Sequence, residues 1–572
     1  MPLSANLADT LLARATRSAG DTAVIHQPAA GAAQWVLHHE LDHRARAVTT
    51  WLRAHDAPGR RVLIAMDSGP HAAAALLACL YAGAVAVPVP APSPSRTAAE
   101  RTAAIARDAA VHLVLTEAAH ASEISRQLTL AGRPRLTCLA VDCLPPTADT
   151  RHARRASAHR DPRVAWQPAR TSPDTLALLA YDSGPATAPR GARITHGNLL
   201  AVMHALRRTL GAGRTSRIGG WLPRHHTLGL IGQLLHPLWL GATAVLLPPR
   251  PDPAEWLRAI SLHAVTETVA PDSHFARCAA RILGEPGSPL PDLSRLRTAV
   301  NAGEPVSSAT MAAFTRRCAA AGLAPGALVP GYAPAEAAPW LAAEGRGPVP
   351  GAELRVVDPH TRVTLPDGEE GEVWARGPAV ASGHWGNPPD AADAFGARTV
   401  EGAVGYLRTG DLGLVWNGEV RFTGRLHETL LTGGVTLNTQ DAERELLSCR
   451  RPLGTARVFC TGPGTGHLVV VQEVRTAGGP RAGLPRLAEE VRARIATEFG
   501  AAVDGVLLVR PGTLRRAGSA KLAGSVLREQ FLRGEVRALH AEFAPGMRTG
   551  YPVAPRPATE GGLRALSRSS TA

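Results

Sequence analysis

The chain has 572 residues, more than one hydrophobic core organises, so two or more domains are expected. Hydrophobic residues at 45% and charged residues at 19% exclude an extensively disordered chain, while seven cysteines without a Cys-x-x-Cys pair argue against a disulfide framework or zinc site and fit a reducing cytoplasm. The net charge of +14 invites a nucleic-acid partner, but aromatic residues make up only 4% and the arginines are scattered, so the interleaved basic and aromatic pattern of a nucleic-acid groove is missing.

Met1–Gly20 contains Asp9, Arg14 and Arg17 and no continuous apolar run, so no signal peptide is expected. Arg61–Met66 reads as a strand, Ala72–Tyr81 as a helix, and Ala84–Val89 and Val111–Thr116 as further strands. The apolar run Ala72–Val87 spans 16 residues, is broken by Gly83 and is followed by Pro88 and Pro90. It reads as a buried helix turning into a strand, not as a membrane span. Pro145–Pro173, with Arg151, Arg154, Arg155, Arg160 and Arg163, reads as a solvated linker. A second block from Leu176 to about Gly424 again alternates strand and helix, and a smaller third block runs from about Arg425 to Leu539. The alternation predicts an α/β fold: a large multi-layer N-terminal domain with mostly parallel sheets over 1–424, and a smaller, mobile α+β C-terminal domain over 425–540. The Pro-, Gly-, Ser- and Arg-rich stretch 541–572 is expected to be a disordered tail.

Several motifs punctuate these blocks. Tyr181-Asp-Ser-Gly-Pro-Ala-Thr-Ala-Pro-Arg-Gly191 follows the strand Leu176–Ala180 and precedes a helix starting near His196-Gly-Asn, a place where backbone N–H groups can cradle phosphate. Trp221-Leu-Pro-Arg-His-His-Thr-Leu-Gly-Leu-Ile-Gly232 leads into an apolar helix through Leu240. Then come Asn301-Ala-Gly-Glu-Pro305, Pro330-Gly-Tyr-Ala-Pro-Ala-Glu-Ala337, Tyr406-Leu-Arg-Thr-Gly-Asp-Leu-Gly413 and Phe422-Thr-Gly-Arg-Leu-His-Glu-Thr-Leu430. Lys521 closes the segment Arg-Pro-Gly-Thr-Leu-Arg-Arg-Ala-Gly-Ser-Ala-Lys. It is the one lysine among 62 basic residues, and a lysine kept in an arginine-biased chain points to a task that needs a compact, pivoting charge.

In order and spacing, these motifs resemble the adenylate-forming (acyl-CoA synthetase, AMP-dependent ligase) superfamily over about residues 5 to 540, and most of all its fatty acyl-AMP ligases. Glu40–Ala47, Cys79–Pro88 and Ala335 before Glu336 also look like that branch. The resemblance implies that Ser183, Gly184 and Arg190 hold the phosphates of ATP, and that His226 flanks the acyl pocket. Gly303 and Glu304 would line the adenine pocket with backbone, and Tyr332 would stack on adenine. Glu336 would hold Mg²⁺, Asp411 would accept the ribose hydroxyls, and Arg425 would contact ribose or phosphate. His427 would be the hinge of a C-terminal lid domain, and Lys521 the catalytic lysine.

The implied reaction is activation of a fatty acid to acyl-AMP by ATP with Mg²⁺, then transfer to the phosphopantetheine thiol of an acyl carrier protein or to CoA, in the cytoplasm, with no nucleic acid and no membrane span. Four departures qualify it. Asp182, Pro185, Ala186 and Thr187 break the phosphate loop, Thr227 stands for an aspartate, Ala520 stands for a glycine, and Gly433-Gly-Val replaces Arg-Gly-Arg. A further difference is that only fifteen residues separate Ala337 from Glu353, fewer than in fatty acyl-AMP ligases, which leaves the acceptor open. Two alternatives therefore stand beside the ligase: an acyl-CoA synthetase, and a degenerate homologue that binds a ligand or partner without turnover.

Overall fold

Strands such as Arg61–Ala65 (RVLIA) and Val85–Val89 (VAVPV) are apolar on both faces, as a parallel sheet covered by helices on both sides requires. The computed structural model describes residues 6–547 except 67, 94–95, 133–135, 145–165, 184–188, 250, 282–290, 304–305, 338–341, 344–346, 387–393, 417–418, 426–428, 433–434, 449–452, 462–466, 476–482 and 515–526. The chain forms two compact units, residues 1–426 and 427–572. Among the described residues the cysteines are free, and no helix is long and apolar enough to cross a membrane.

The larger unit contains three sheets. One has six strands in the order Thr137–Ala140, Leu113–Thr116, Arg61–Ala65, Val85–Val89, Leu176–Ser183, Arg190–Thr195, all parallel except the last. A nine-stranded sheet has six adjacent parallel strands, Leu328–Tyr332, Thr298–Asn301, Glu267–Ala270, Arg217–Gly220, Thr243–Leu246 and Thr22–His26, with short antiparallel strands at both edges. The third sheet is antiparallel throughout: Glu353–Val357, Gly371–Arg376, Leu407–Trp416, Glu419–Arg425. The helix Pro70–Ala82 is buried all round and ends at Gly83, whose φ of +70° suits a residue without Cβ, before the chain enters Val85–Val89.

The expected single large domain interleaves the blocks on either side of the expected linker, whose strands share sheets: Leu176–Ser183 pairs with Val85–Val89, and Thr22–His26 pairs with Thr243–Leu246. Strand partners are chosen by packing across the whole unit, which local periodicity does not encode. The expected linker needs correction, because it is not solvated throughout. Residues 145–165 lie outside the described ones, but Trp166 packs edge-on to Tyr81 at 5.4 Å and lies beneath the guanidinium of Arg46 at 4.6 Å. Asn6 donates to the carbonyl of Ala169 at 3.0 Å and stitches the same stretch to the N-terminal helix.

The smaller unit is a four-stranded mixed sheet, Leu453–Cys460, Leu468–Val474, Gly505–Val509 and His540–Phe543, with helices Thr439–Ser448 and Leu484–Phe499 and the hairpin Thr429–Thr432/Val435–Asn438. Val470, Val506, Leu508, Val491 and Ile495 share its core. Its last strand takes in residues 541–543, which the sequence assigned to the tail. Fold class otherwise follows the expectation: mostly parallel sheets in a large α/β unit and a smaller α+β unit.

Two local features fix the geometry that matters later. After Arg217–Gly220 the chain turns through Trp221–Thr227 into the wide helical turns Leu228–Leu235, continued by His236–Leu240. Pro237 has no N–H to donate, and the turns before it widen. A Cβ at Gly229 would run into the backbone carbonyls of Pro223 and Leu222. Gly229→Ala should therefore cost about 1–3 kcal/mol, read from denaturant unfolding of the full chain; a loss under about 0.5 kcal/mol would show that the backbone yields there.

In the antiparallel sheet, Glu353 accepts from the Tyr406 hydroxyl at 2.6 Å, from Arg355 at 2.7 Å and from Arg376 at 2.8 Å. The Tyr406 bond first, and then the two guanidinium groups, hold its carboxyl down from the ordinary 4.5 to about 2. A depressed carboxyl contributes stability above pH 4.5 that is lost as pH falls towards 2. Glu353→Gln should thus be less stable than the wild type at pH 6, and the gap in Tm should close as the pH is lowered through that window; a constant gap would refute the coupling.

Candidate active site

Parallel strands present their carboxyl ends on one edge, and the loops leaving that edge are where an open α/β sheet takes its ligand. Three of the sequence motifs leave parallel strands of one sheet there, two of them neighbours and the third separated from these by one strand. Trp221 follows Arg217–Gly220, Ala302 and Gly303 follow Thr298–Asn301, and Tyr332 ends Leu328–Tyr332. Gly303 has φ of +90°, a conformation open to glycine, and a Cβ there would sit 3.6 Å from Leu228 Cδ2. The loop after Asn301 is thereby brought against the helix that His226 precedes.

Tyr332 is 8% exposed and its hydroxyl donates to Asp411 Oδ2 at 2.6 Å. Asp411 is 9% exposed and lies in the strand Leu407–Trp416 of the antiparallel sheet. The bond joins two sheets, and it sets an aromatic face beside a carboxylate. Phe422, on the next strand, stacks on Tyr332 with ring centroids 3.6 Å apart and planes 15° from parallel. In the same strand pair Arg425 stands directly opposite Asp411. The turn leading to Asp411 is pinned by Glu372, a buried carboxylate that accepts from Gly410 N at 3.2 Å, from Trp374 Nε1 at 3.0 Å and from Arg408 at 2.7 Å.

Glu336 sits half-buried in the single turn Ala335–Ala337, and its carbonyl accepts from Ala381 N at 2.8 Å. The same short segment reaches the strand after the phosphate loop: Ser382 N donates to Arg193 O at 3.0 Å, and Arg193 N to Gly383 O at 2.9 Å. Asn198, at the start of the helix His196–Leu210, donates to the carbonyls of Pro378 and Val380 at 2.8 and 2.9 Å. The Glu336 turn and the phosphate hairpin are thus fastened to one strip of backbone. A single hard carboxylate such as Glu336 fits Mg²⁺, which takes one or two protein carboxylates and completes its shell with substrate phosphate and water. Among the described residues there is no cluster of three or more metal-ligating side chains.

Below the His226 turn lies a feature that the sequence did not announce. Arg224 is 6% exposed and donates to Gly229 O at 2.6 Å, Gly220 O at 3.1 Å, Gln233 Oε1 at 3.2 Å and Ser68 Oγ at 3.1 Å. All four acceptors are neutral. Burial lowers its pKa, but a guanidinium starts high enough to stay charged at neutral pH. Gln233, fully buried, passes the link on through Nε2 to Val269 O at 2.7 Å. The His226 ring lies 4.5 Å from that of His225 above this network.

Of the residues chosen from sequence, Tyr332, Arg425, Gly303, Glu336 and His226 fall on loops, turns and strand ends of the larger unit, and Asp411 lies within the strand Leu407–Trp416. Arg190 is exposed and pairs with Ser183 across the phosphate hairpin, where the backbone of Ser183 is described and its side chain is not. The Arg425 side chain is likewise undescribed, and Gly184, Glu304, His427 and Lys521 lie outside the described residues. Phe422 was visible in its motif as an aromatic two residues before the Gly-Arg pair, but nothing local says that it meets Tyr332.

The model of the AMP-binding enzymes matches residues 11–385. The chain is 27% identical to a medium-chain-fatty-acid–[acyl-carrier-protein] ligase, JamA, of Moorena producens, over 90% of this chain and 93% of that protein. It is 29% identical to a 4-hydroxyphenylalkanoate adenylyltransferase of Mycobacterium tuberculosis, over 90% and 88%. Among solved structures it resembles a fatty acid AMP ligase from Legionella pneumophila (TM-score 0.68, 24% identity, 95% of this chain and 98% of that one). It also resembles the McyG A-PCP structure complexed with phenylalanyl-adenylate (TM-score 0.78, 19% identity, 92% and 95%). With the family match spanning both of the larger parallel sheets, and Tyr332 and Glu336 with them, the chain belongs to the AMP-binding enzymes.

Proposed function

We propose that this enzyme uses ATP to activate a fatty acid as acyl-AMP and passes the acyl group to the phosphopantetheine thiol of a carrier protein. The observation that carries the reading is the Tyr332–Asp411 pair. A hydrogen bond of 2.6 Å from the tyrosine hydroxyl to the carboxylate joins an aromatic ring to a carboxylate at the carboxyl edge of a parallel sheet, the two kinds of group that adenine and ribose need. Similarity to ligases named for fatty acids and acyl carrier protein supports the substrate and the acceptor.

In the first step a carboxylate oxygen of the acid attacks the α-phosphorus of ATP, the bond to the bridging oxygen breaks and pyrophosphate leaves. Negative charge grows on the non-bridging oxygens. Arg190 and the hairpin backbone hold the polyphosphate, and the Lys521 ammonium offsets the growing charge in a site closed to water. Glu336 is the residue that would hold Mg²⁺, whose charge would further neutralise the phosphates. In the second step the thiol sulfur attacks the acyl carbon, AMP leaves, and the thiol proton is released. His226 borders the acyl chain, and His427 serves as the hinge about which the smaller domain exchanges the two steps.

Asp182 supports a second reading. A carboxylate in a phosphate loop that has also lost a serine hydroxyl to Pro185 weakens a polyphosphate site, and a homologue that binds without turnover would tolerate both.

Pyrophosphate release with ATP, Mg²⁺ and fatty acids from short to long chain separates the two. Release is expected only when an acid is present, and Lys521→Ala should lower it by on the order of 10²–10³; Glu336→Gln should raise the Mg²⁺ concentration needed for half-maximal rate. A folded wild type that binds ATP and releases nothing with any acid would establish the binding module instead. Supplying holo carrier protein or CoA as acceptor, and following thioester formation, assigns the second substrate; transfer to CoA alone would make it an acyl-CoA synthetase.

A further inference from the structure

Tyr181 opens the phosphate loop and is held at both its ends by one helix. Its hydroxyl donates to Asp108 Oδ2 at 2.5 Å, and its carbonyl accepts from Arg101 at 2.6 Å. Arg101 and Asp108 lie seven residues apart on the helix Arg96–Asp108, two turns along one face. The Tyr181 side chain is 5% exposed, packed among Leu63, Val87, Ile105 and Ala106.

The far end of the loop meets the same clamp. A Cβ at Gly191 would lie 2.6 Å from Tyr181 Cζ, so the ring rests on the Gly191 backbone, and only a glycine allows that approach. Gly191 O accepts from Trp385 N at 2.7 Å, and the Trp385 indole N–H donates to the carbonyl of Asp108 at 3.0 Å. Arg61 lies over the Trp385 ring at 5.4 Å and donates to the carbonyls of Ala109 and Ala110, each at 2.8 Å. The first and last residues of the motif are therefore both tied to one point, the C-terminal end of the helix Arg96–Asp108. Between them Ser183 pairs with Arg190 across the hairpin.

We infer that Asp108 and Arg101 are positioning residues for the nucleotide: acting through Tyr181, they set the hairpin strand that carries Arg190. This rests on the adenylation reading and extends it to residues some seventy positions upstream of the loop. The physical reason is the composition of the loop. Pro185 offers neither a hydroxyl nor an N–H and Ala186 no hydroxyl, so the hold on phosphate leans on Arg190, and a charge placed by a strand works only at fixed geometry.

The test uses the full chain, with Tyr181→Phe, Asp108→Ala and the double variant, assayed for fatty-acid-dependent pyrophosphate release against ATP and against acid. Each single variant should lower kcat/KM for ATP roughly ten- to a hundredfold with KM for the acid within about twofold, and the double variant should be no worse than the worse single one. Arg101→Lys should recover most of what Arg101→Ala loses. Equal losses for ATP and acid, or losses that multiply in the double variant, would show general destabilisation and overturn the assignment. So would unchanged kinetics in both singles. If the wild type releases no pyrophosphate, the adenylation reading fails, and calorimetric affinity for ATP in the same variants still decides the clamp: weaker binding sustains it, equal binding removes it.

Discussion

One hydrogen bond holds the site in register. Tyr332 belongs to a parallel sheet and Asp411 to an antiparallel one, 79 residues further on, and their bond at 2.6 Å is where the two layers agree on a position. A hydrogen bond to a charged acceptor contributes about 1.5–3 kcal/mol, more than the packing of either loop alone secures. Glu372 anchors the turn before Asp411, and Phe422 fixes the tilt of the Tyr332 ring. The Tyr332 ring and the Asp411 carboxylate already hold one another, so under the proposed role little ordering of these two groups would remain on binding.

Around that bond the chain assembles its chemistry from strand ends. The Trp221, Gly303 and Tyr332 segments leave parallel strands of one sheet, and the Tyr181–Gly191 hairpin belongs to another. The short segment 378–383 fastens the Glu336 turn to the strand Arg190–Thr195 through main-chain bonds, and the Asn198 side chain ties it to the helix that follows.

Much of this was legible in the sequence. Apolar runs of strand length gave the α/β class, and Tyr332, Glu336 and Asp411 stood out only through the resemblance of their motifs to those of adenylate-forming enzymes. What could not be read was long-range. That Leu176–Ser183 pairs with Val85–Val89, that Trp166 packs back onto Tyr81, and that residues 541–543 complete a sheet are matters of tertiary packing, invisible to a window of a dozen residues. Arg224 and Asp108 were missed for a related reason. Charged residues are read as solvent-facing by default, and their roles come from partners 9 and 73 residues away.

Arg224 has a consequence for the electric field of the site. Surface arginines are numerous in this chain, but salt screens exposed charges within about 10 Å at 0.1 M. Arg224 is enclosed, bonded only to neutral oxygens, and has no carboxylate among those acceptors to cancel it. Its charge reaches the floor of the His226 turn through protein rather than through electrolyte. The interior beneath Trp221–Thr227 therefore keeps a positive charge at ionic strengths that screen the exposed arginines.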